Sequence, residues 1–559
     1  MSEKLANLLF PNIKHTPEYY EEKYPKRKLP GGAKVTRLGP SPTGFMHLGN
    51  LYGAFVDERL AHQSNGVFYL RIEDTDDKRY VQGAVETIIR SLDYFGIHFD
   101  EGATEGKDIG NYGSYTQSQR GEIYQTFAKD LVARGHAYPC FLTEEEINEI
   151  RQKQEANKLT PGIYGAYSPS RGLSYDDIEA RINDGKPWVL RLASTGDCSQ
   201  RTDIVRKVKV KDAIRGILEI PENYHDVVIL KTTGIPTYHF AHVIDDHLMR
   251  TTHVVRGAEW LPSLPIHVEL FEKLGFEMPV YCHTAQLMKL DADGNRRKLS
   301  KRKDPELSLD YYRSKGYHPA AIREYLLTIL NSNFEEWRMA NPNADYDKFQ
   351  FTTEKMSNSG ALFDLDKLNN ISKDVLLEIP AEDLYYFYRD WAGEFKPEIM
   401  DIFRDKEYLC KFLDLGRNDK KPRKDLIYGE QIVEFISCYF DNLISHMKKD
   451  PLPQETAGDE IHILEKYLES YDQNDDQSQW FDKIREIAVE LGYAAKPKDY
   501  KKNPTDYKGH VGHVSTVIRI ALLGRSTSPD VWTIQQIMGE AKTKERIETF
   551  ITGFKKSVK

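Results

Sequence analysis

Cysteines are few in this 559-residue chain, and long hydrophobic segments are absent. The five cysteines are widely spaced without a C-x-x-C pair, which argues against a disulfide framework and against a four-ligand zinc site. No apolar run approaches the length of a membrane span, and the opening residues MSEKLANLLF are too rich in mixed charge for a secretory signal. These absences predict a cytoplasmic protein without a membrane partner.

The composition is that of a folded protein with several domains. Hydrophobic residues make up 40% of the chain and charged residues 29%, which excludes a disordered class. The net charge of −9 does not favour a nucleic-acid partner, but phosphate binding depends on local basic surface rather than on the sum. Two basic runs, at 411–424 and 496–508, offer such a surface, although each taken alone is better explained as a solvated loop.

The chain is organised around the stretch from Val35 to Asn50, written VTRLGPSPTGFMHLGN. A short strand is predicted up to Leu38, followed by a Gly/Pro loop that can continue neither a strand nor a regular helix. A helix is predicted to start near His47. Because first-turn N–H groups are unpaired and the helix dipole favours negative charge, this arrangement predicts an anion site.

Two further motifs give the anion site a specific interpretation. A second strand, predicted from Val67 to Ile72, closes a β-α-β unit, and the basic motif KLSKR begins far downstream at Lys298. With R-x-G-P-S-P-T-G from Arg37 and R-I-E-D-T-D from Arg71, these motifs resemble the signatures of class I aminoacyl-tRNA synthetases. The chain specifically resembles glutamyl-tRNA synthetases of the bacterial type.

The resemblance implies an α/β fold, with a Rossmann-like class I catalytic domain, an α+β insertion and an all-α anticodon-binding region. We expect an N-terminal extension at 1–30, the catalytic domain at 31–300 with an acceptor-binding insertion at 100–221, a stem-contact helical region at 301–375 and the anticodon-binding domain at 376–559. The apolar run from Asp226 to Leu230 predicts a buried parallel strand. Among the C-terminal helices, two long ones are predicted at 432–447 and 533–551.

Activating an amino acid with ATP requires attack of a carboxylate on the α-phosphorus, so the protein has to position groups and stabilise charge. By resemblance, the catalytic residues are His47, Gly49, Lys298 and Lys301. The residues expected to bind ATP are Pro40, His47, Gly49, Asn50, Lys298, Leu299, Ser300 and Lys301. Asn50 departs from the Gly or His usual at its position, and we expect the change to be tolerated.

Glutamate carries two carboxylates and an ammonium group, so its pocket needs about two cations and one anion. By resemblance, the pocket consists of Arg37, Ser41, Glu73, Tyr238, His242 and Arg256. Glu73 is expected to take the α-amino group, and the two arginines to take carboxylates. A structural alternative is that Arg37 and Glu73 only pair across adjacent strands. His242 stands where the bacterial pattern often has Asn, so its part in the pocket is open.

A metal site is not predicted. Three histidines and two aspartates lie between Pro236 and His247, but their spacing fits no standard zinc pattern, and lining of the substrate pocket is the better interpretation. In the resembled family some members hold zinc in the insertion. Cys140 stands where a first ligand would be, without companions, so we predict no structural zinc. Magnesium is expected only with ATP.

The predicted function is ATP-dependent ligation of L-glutamate to the 3′ end of its cognate tRNA through a glutamyl-adenylate, by a monomer. Glutaminyl-tRNA synthetases end in β-barrels, whereas about two hundred helical residues follow the lysine motif here. Three alternatives remain: an enzyme that also charges glutamine tRNA, a small-molecule nucleotidyltransferase of the same superfold and a non-catalytic RNA binder. The intact His47, Lys298 and Lys301 argue against the last.

Overall fold

The structure, a computed structural model, describes residues 2–42, 46–76, 81, 83–104, 106–196, 206–300 and 302–557. The chain divides into two units. Unit 1 comprises Met1–Tyr311 and Arg323–Asp364, and unit 2 comprises Tyr312–Ile322 and Leu365–Lys559. This division does not test the four predicted regions, whose bounds stay predictions.

Unit 1 mixes helices and strands. In chain order the α-helices up to residue 364 are α1 (Ser2–Leu9), α2 (Pro17–Lys23), α3 (Leu48–His62), α4 (Ala84–Tyr94), α5 (Gly121–Ala133), α6 (Glu144–Ala156), α7 (Tyr175–Asn183), α8 (Tyr238–Leu248), α9 (Leu264–Leu274), α10 (Leu309–Lys315), α11 (Pro319–Leu330) and α12 (Phe334–Ala340). The strands are β1 (Val35–Leu38), β2 (Val67–Leu70), β3 (Glu101–Gly102), β4 (Ala137–Cys140), β5 (Val189–Leu192), β6 (Lys207–Asp212), β7 (Gly216–Pro221), β8 (Val228–Leu230), β9 (His253–Gly257), β10 (Val280–Thr284), β11 (Leu287–Leu290), β12 (Arg296–Lys298) and β13 (Ala361–Leu362).

Parallel strands form the centre of unit 1. Strands β1, β2 and β3 pair in that order and in parallel, with Val35 opposite Val67. A second sheet has the order β7-β6-β10-β9, in which β10 runs parallel to both β6 and β9. The two sheets are connected where the Thr252 N–H donates to the Val35 carbonyl at 2.9 Å. That contact joins the amino ends of β1 and β9, and Arg37 Nη1 donates to the Val255 carbonyl at 3.3 Å nearer their carboxyl ends. In open α/β sheets ligands bind at the carboxyl edge.

The predicted strand, loop and helix around His47 are present. Strand β1 ends at Leu38, directly before the Gly39–Pro40 pair, and α3 begins at Leu48 with His47 as its N-cap. Residues 43–45 of the loop lie outside the described residues. Most residues of α3 are buried, because the helix packs between β1, β2 and β9. Burial on both sides fixes the direction of the helix, so its N-terminus opens at the sheet edge.

The prediction of a parallel strand at 226–230 is wrong. Strand β8 is buried, but it pairs antiparallel with β5, which in turn pairs antiparallel with β4. A short apolar run indicates burial on both faces, and it carries no information on the direction of the neighbouring strand. These strands form a separate antiparallel sheet with the order β4-β5-β8.

Unit 2 is helical. After residue 364 the α-helices are α13 (Leu365–Glu378), α14 (Ala381–Phe395), α15 (Lys406–Asp414), α16 (Gly429–Ile436), α17 (Asp441–Ile444), α18 (Glu460–Ser470), α19 (Gln477–Glu490), α20 (Pro497–Lys502), α21 (Val511–Leu523), α22 (Val531–Met538) and α23 (Glu540–Ser557). Two predicted helices are interrupted. The segment at 432–447 passes through a 3₁₀ turn at Ser437–Tyr439, and the segment at 533–551 breaks at Gly539, whose φ of 83° lies in the left-handed region.

Unit 2 has a continuous apolar core. Tyr388, Trp391, Phe412, Trp480 and Ile518 are among its members, all of them buried. This core explains why helices with modest individual propensity are stable together. In the described part of the chain, no helix combines the length and the apolar character needed to cross a bilayer.

Candidate active site

A cavity of about 830 Å³ in unit 1 opens at the carboxyl ends of β1 and β9 and at the N-terminus of α3. The predicted site residues that line it are Arg37, Pro40, Ser41, His47, Gly49, Asn50, Glu73, Tyr238, Arg256, Lys298 and Leu299. Ser300 and His242 are described but do not line the cavity. Lys301 lies outside the described residues. Three distant sequence motifs thus meet at one cavity.

His47 and Asn50 hold the first turn of α3. The Asn50 N–H donates to His47 Nδ1 at 3.3 Å, and the His47 N–H donates to Asn50 Oδ1 at 3.1 Å. This reciprocal pair satisfies two of the N–H groups that a helix start leaves open. Between them, a Cβ at Gly49 would lie 3.1 Å from both Cε1 and Nδ1 of the His47 ring. Glycine at this position therefore allows the ring to fold over the helix start.

The lysine motif follows a β-hairpin and is held by a buried carboxylate. Strands β11 and β12 pair antiparallel, and Lys298 is the last residue of β12. The loop then turns around Asp304, which accepts from the Ser300 N–H at 2.8 Å and from both terminal nitrogens of Arg297 at 2.6 Å. These hydrogen bonds, above all those from Arg297, lower the pKa of Asp304 to about 2. Asp304 is thus ionised, and it anchors the loop beside the cavity.

Two arginines share one buried carboxylate under the cavity. Asp246 Oδ1 lies 3.2 Å from Arg37 Nε and 2.6 Å from Arg71 Nη1. Burial would raise the pKa of Asp246, but the two guanidiniums hold it well below its usual value. Arg37 Nη1 donates to the Val255 carbonyl at 3.3 Å, and Arg71 Nη2 donates to Glu73 at 2.9 Å. The partner of Glu73 is therefore Arg71, and the suggested pair of Arg37 with Glu73 is replaced by Arg37 with Asp246.

Arg256 has a different environment. Its Nε donates to His283 Nε2 at 2.9 Å, and its Nη1 lies 3.1 Å from His267 Nδ1. Its guanidinium lies 4.6 Å from the centroid of the Tyr281 ring. Among the described residues, Arg256 forms no ion pair, and its guanidinium also interacts with the neutral side chain of Tyr238. A cation without a carboxylate partner among the described residues therefore lines the cavity, and an anionic ligand there would supply that partner.

His242 lies beneath the cavity rather than in its wall. The side chain is fully buried on α8, with its ring stacked 5.7 Å from the Tyr238 ring. Its Nδ1 lies 3.0 Å from Asp246, and its Nε2 lies 3.2 Å from the Tyr281 hydroxyl. Burial lowers the pKa of His242 to about 4, so the imidazole is neutral. Direct contact of His242 with glutamate stays a prediction, and the structure gives the residue a supporting position behind Tyr238.

Comparison of the sequence with known proteins identifies the family to which the chain belongs. Residues 34–370 match the family model described as tRNA synthetases class I (E and Q), catalytic domain. The chain is 60% identical to the glutamate–tRNA ligase of Acetivibrio thermocellus, covering 98% of this chain and 99% of that protein. The glutamate–tRNA ligase of Clostridium perfringens strain SM101 is 50% identical, with 98% and 99% covered. The chain belongs to the class I glutamyl-tRNA synthetases.

A solved structure supports the fold of this synthetase family across both units. The crystal structure of a glutamate tRNA ligase from Elizabethkingia meningosepticum, in complex with its amino acid, has a TM-score of 0.73 and 26% identity. The match covers 93% of this chain and 99% of that one. The predicted family, α/β fold class and enzyme class are therefore confirmed. Class I synthetases use ATP, and glutamyl-tRNA synthetases use glutamate and tRNA with it.

Several residues of the synthetase site were missed by the sequence prediction. Asp246 binds both Arg37 and Arg71, and His267 and His283 surround Arg256. Further lining residues outside the predicted set include Tyr52, Asp57, Thr75, Asp76, Lys231, Glu259, Trp260 and Gln286. Glu259 and Trp260 follow the end of the parallel strand β9, so the strand-end rule could have indicated them. The buried partners carry no local signal, because their contacts join distant parts of the chain.

Proposed function

We propose that this chain joins L-glutamate to the 3′ end of its cognate tRNA in two steps. In the first step an oxygen of the α-carboxylate attacks the α-phosphorus of ATP, and diphosphate leaves. In the second step a hydroxyl of the terminal ribose attacks the glutamyl carbonyl carbon, and AMP leaves. Neither step needs a covalent bond to the protein. The side chains therefore contribute by positioning the reactants and by stabilising charge.

ATP, as its magnesium complex, binds between the start of α3 and the lysine loop. His47 donates to a phosphate oxygen, Asn50 holds the helix start, and Gly49 allows close approach. The dipole of α3 favours the negative charge of the phosphates. Lys298 and Lys301 stabilise the charge that develops on the leaving diphosphate. Support comes from the position of His47 and Lys298 on the wall of one cavity.

Glutamate binds at the other side of this cavity. Glu73 accepts from the α-ammonium group, because its carboxylate lines the cavity and its other contact is to Arg71. Arg37 reaches the α-carboxylate through Nη2, since its Nε and Nη1 are used by Asp246 and Val255. Arg256 binds the side-chain carboxylate. Ser41 and Tyr238 complete the pocket, and His242 supports Tyr238 from behind.

The observation that carries this proposal is that Arg256 lines the cavity while its hydrogen-bond partners are neutral imidazoles rather than carboxylates. A carboxylate opposite it would be a charge-assisted partner, whereas the amide of glutamine would leave the cation poorly compensated. The expected penalty is about 2–4 kcal/mol. Glutamine should therefore be activated about 30- to 900-fold less efficiently than glutamate.

Diphosphate exchange in the presence of tRNA tests the proposal with both amino acids. Arg256→Gln should reduce the rate with glutamate and shrink the preference for glutamate over glutamine. Arg256→Lys keeps the positive charge but loses the planar guanidinium that can form two parallel hydrogen bonds. This variant should retain part of the preference for glutamate over glutamine. Arg90→Gln is the matched control, because Arg90 is an exposed arginine of α4 that does not line the cavity and lies outside the regions proposed to bind tRNA. Unchanged discrimination in Arg256→Gln would show that another cation selects the substrate.

The tRNA-binding regions are proposed with the bounds predicted from the sequence. Residues 1–30 form an extension, 100–221 hold the acceptor end within the catalytic domain at 31–300, 301–375 contact the stem, and 376–559 read the anticodon. The all-helical character of unit 2 supports the last assignment. Charging of purified glutamate and glutamine tRNAs with labelled glutamate decides whether the enzyme accepts one tRNA or both. The enzyme acts as a monomer, which sedimentation analysis measures.

The insertion is proposed to fold without zinc. Cys140 is buried at the end of β4, and the polar centre beside that strand is Asp226. Asp226 accepts from the Tyr138 hydroxyl at 2.6 Å, the Ser168 hydroxyl at 2.8 Å and Arg171 Nε at 2.7 Å. These hydrogen bonds connect β4 to the segment before α7, which is the kind of cross-link that a structural metal ion would otherwise provide. Elemental analysis should find no bound zinc, and one equivalent per chain would contradict the proposal.

A further inference from the structure

The guanidinium of Arg256 is held by two imidazoles that lie on different elements. His283 is in β10, next to β9 in the sheet, and His267 is in α9. Both side chains are fully buried. An arginine side chain only donates hydrogen bonds, so each imidazole nitrogen facing it has to be an acceptor without a proton. The arginine therefore determines the tautomer of both histidines.

The proton of His283 is directed towards Asp212. His283 Nε2 accepts from Arg256 Nε at 2.9 Å, so the ring proton lies on Nδ1, which is 2.7 Å from Asp212 Oδ2. Asp212 also accepts from the N–H groups of Ile214 and Arg215 through its other oxygen, at 2.9 Å and 2.8 Å. The turn after β6 thus fixes the position of Asp212. Asp212 orients the His283 ring, and the His283 ring orients Arg256 through its Nε.

His267 has the opposite arrangement. Its Nδ1 faces Arg256 Nη1 at 3.1 Å, so its proton lies on Nε2, which is 3.0 Å from His239 Nδ1. Burial lowers the pKa of His283 against the pull of Asp212. Burial, together with His242, Arg256 and His239, lowers the pKa of His267 well below its usual value. Both rings are neutral at physiological pH, in agreement with their role as acceptors.

Because its hydrogen-bond acceptors are neutral, the positive charge of Arg256 is not compensated inside the described part of the protein and can attract an anionic ligand. Arg37 and Arg71 share Asp246, so much of their charge is compensated inside the protein. Arg256 forms no ion pair among the described residues, and the groups that contact it are uncharged: the two imidazoles, the face of Tyr281 and the side chain of Tyr238. An arginine held by carboxylates would attract an incoming carboxylate less, because its field would be partly cancelled. Holding it by imidazoles fixes its geometry without that loss.

We propose that His283 and His267 are positioning residues that orient Arg256 as neutral acceptors and so keep its full charge for the side-chain carboxylate of the amino-acid substrate. This inference rests on the proposed function of Arg256 in selecting glutamate. The two histidines act through Arg256 and do not line the cavity themselves.

Amide substitutions separate this role from a structural one. The amide of glutamine reaches the position of Nε2, and the amide of asparagine reaches the position of Nδ1. His283→Gln therefore keeps the acceptor for Arg256 and loses the donor to Asp212, and His283→Asn does the reverse. At His267, where Nδ1 faces the arginine, asparagine keeps the acceptor and glutamine loses it.

The measurement is diphosphate exchange in the presence of tRNA, with the KM for glutamate and the KM for ATP determined separately. We expect His283→Gln and His267→Asn to stay within about threefold of the wild-type KM for glutamate. His283→Asn and His267→Gln should raise that KM by about 10- to 100-fold, as a lost hydrogen bond to a charged group implies, with the KM for ATP unchanged. If a histidine were merely structural, its Gln and Asn variants would raise the KM for glutamate equally. If the contact with Asp212 were what mattered at His283, His283→Asn would be less affected than His283→Gln.

Equal effects of the two amides at each position would overturn the inference while leaving the function of Arg256 intact. If instead Arg256→Gln keeps the wild-type preference for glutamate, the proposed function fails and the inference fails with it. If the histidine variants do not fold, NMR of the wild type labelled with ¹⁵N-histidine tests the inference instead. Histidine ¹⁵N resonances whose chemical shifts differ between the wild type and Arg256→Lys identify the rings next to Arg256. At pH 7 these resonances in the wild type should be those of two neutral imidazoles, one protonated on Nδ1 and one on Nε2. Imidazolium signals there would overturn the inference.

Discussion

His47 and Asn50 cap the first turn of α3 for each other, at N–H to side-chain distances of 3.3 Å and 3.1 Å. The Asn50 side chain therefore holds the backbone of His47, three residues before it. The pair couples helix stability to the orientation of a proposed catalytic ring, because the same His47 Nδ1 that caps the helix also fixes which ring edge faces the cavity.

Replacing Asn50 separates the two effects. Asn50→Ala removes the acceptor for the His47 N–H, so the free energy of unfolding should fall by about 1 kcal/mol and the rate of diphosphate exchange should fall with it. Asn50→Asp keeps an acceptor at the helix start and should retain stability, but its charge faces the ATP site and should raise the KM for ATP. Urea unfolding and diphosphate exchange measure both. Equal stability of the alanine variant and the wild type would contradict the capping role.

Two glycines of α3 provide a matched pair. A Cβ at Gly49 would press on the His47 ring at 3.1 Å, whereas a Cβ at Gly53 would meet no atom within 4 Å. Gly53→Ala should stabilise the helix by about 0.5–1 kcal/mol. Gly49→Ala should gain less stability and should lower the rate of diphosphate exchange by on the order of a hundredfold, since a small displacement of a positioning group is enough. Because Gly53 also lines the cavity, the rate of Gly49→Ala is compared with that of the wild type, and an unchanged rate would show that the ring can move without cost.

The motif around His47 could be predicted because its signals are local. A strand, a Gly/Pro loop and a helix start are read from adjacent residues, and the structure has each of them. The role of Asp246 could not be predicted in this way. Asp246 serves Arg37 and Arg71, which are more than 170 residues away along the chain, as the separations of 209 and 175 residues show. Burial of a carboxylate between two arginines is decided by packing, which no local pattern reports.

Strand direction and helix breaks were the other points at which local patterns were insufficient. Strand β8 has the apolar run expected of a buried strand, but only its partner β5 makes it antiparallel. The pattern at 533–551 is helical on both sides of Gly539, so the break at that residue depends on a backbone angle that helical periodicity does not show. The roles of the residues that line the cavity remain predictions where the family resemblance supplied them.

Asp304 offers a test of the lysine loop. Asp304→Asn weakens the hydrogen bonds from Arg297 and Ser300, which lie on either side of Lys298. Lys298 should therefore lose its position, and the rate of diphosphate exchange should fall by on the order of tenfold or more. Asp291→Asn is the control, because Asp291 caps the turn between β11 and β12 without contacting Ser300. The folded pKa of Asp304, about 2, lies below the usual 3.8. Its contribution to stability is therefore complete above pH 3.8 and is lost only as the pH falls towards 2.

Glu73 should make the use of glutamate sensitive to mildly acidic pH. Burial raises the pKa of this carboxyl above its usual 4.5, and the attraction of Arg71 and Arg37 only partly offsets the effect. The ammonium group of the substrate needs the ionised form. Hence kcat/KM for glutamate should fall about tenfold per pH unit once the pH drops below the raised pKa, which lies above 4.5.

The stability of the fold should respond in the opposite direction. A folded-state pKa above the unfolded value means that the folded protein binds the proton more tightly. The stabilisation from protonated Glu73 is therefore complete below pH 4.5 and is lost as the pH rises through the folded pKa. Glu73→Gln cannot titrate, so the stability of the wild type relative to this variant should decrease over that pH range in urea unfolding. The acidic limb of kcat/KM should disappear in the variant, and its persistence would assign the limb to another group.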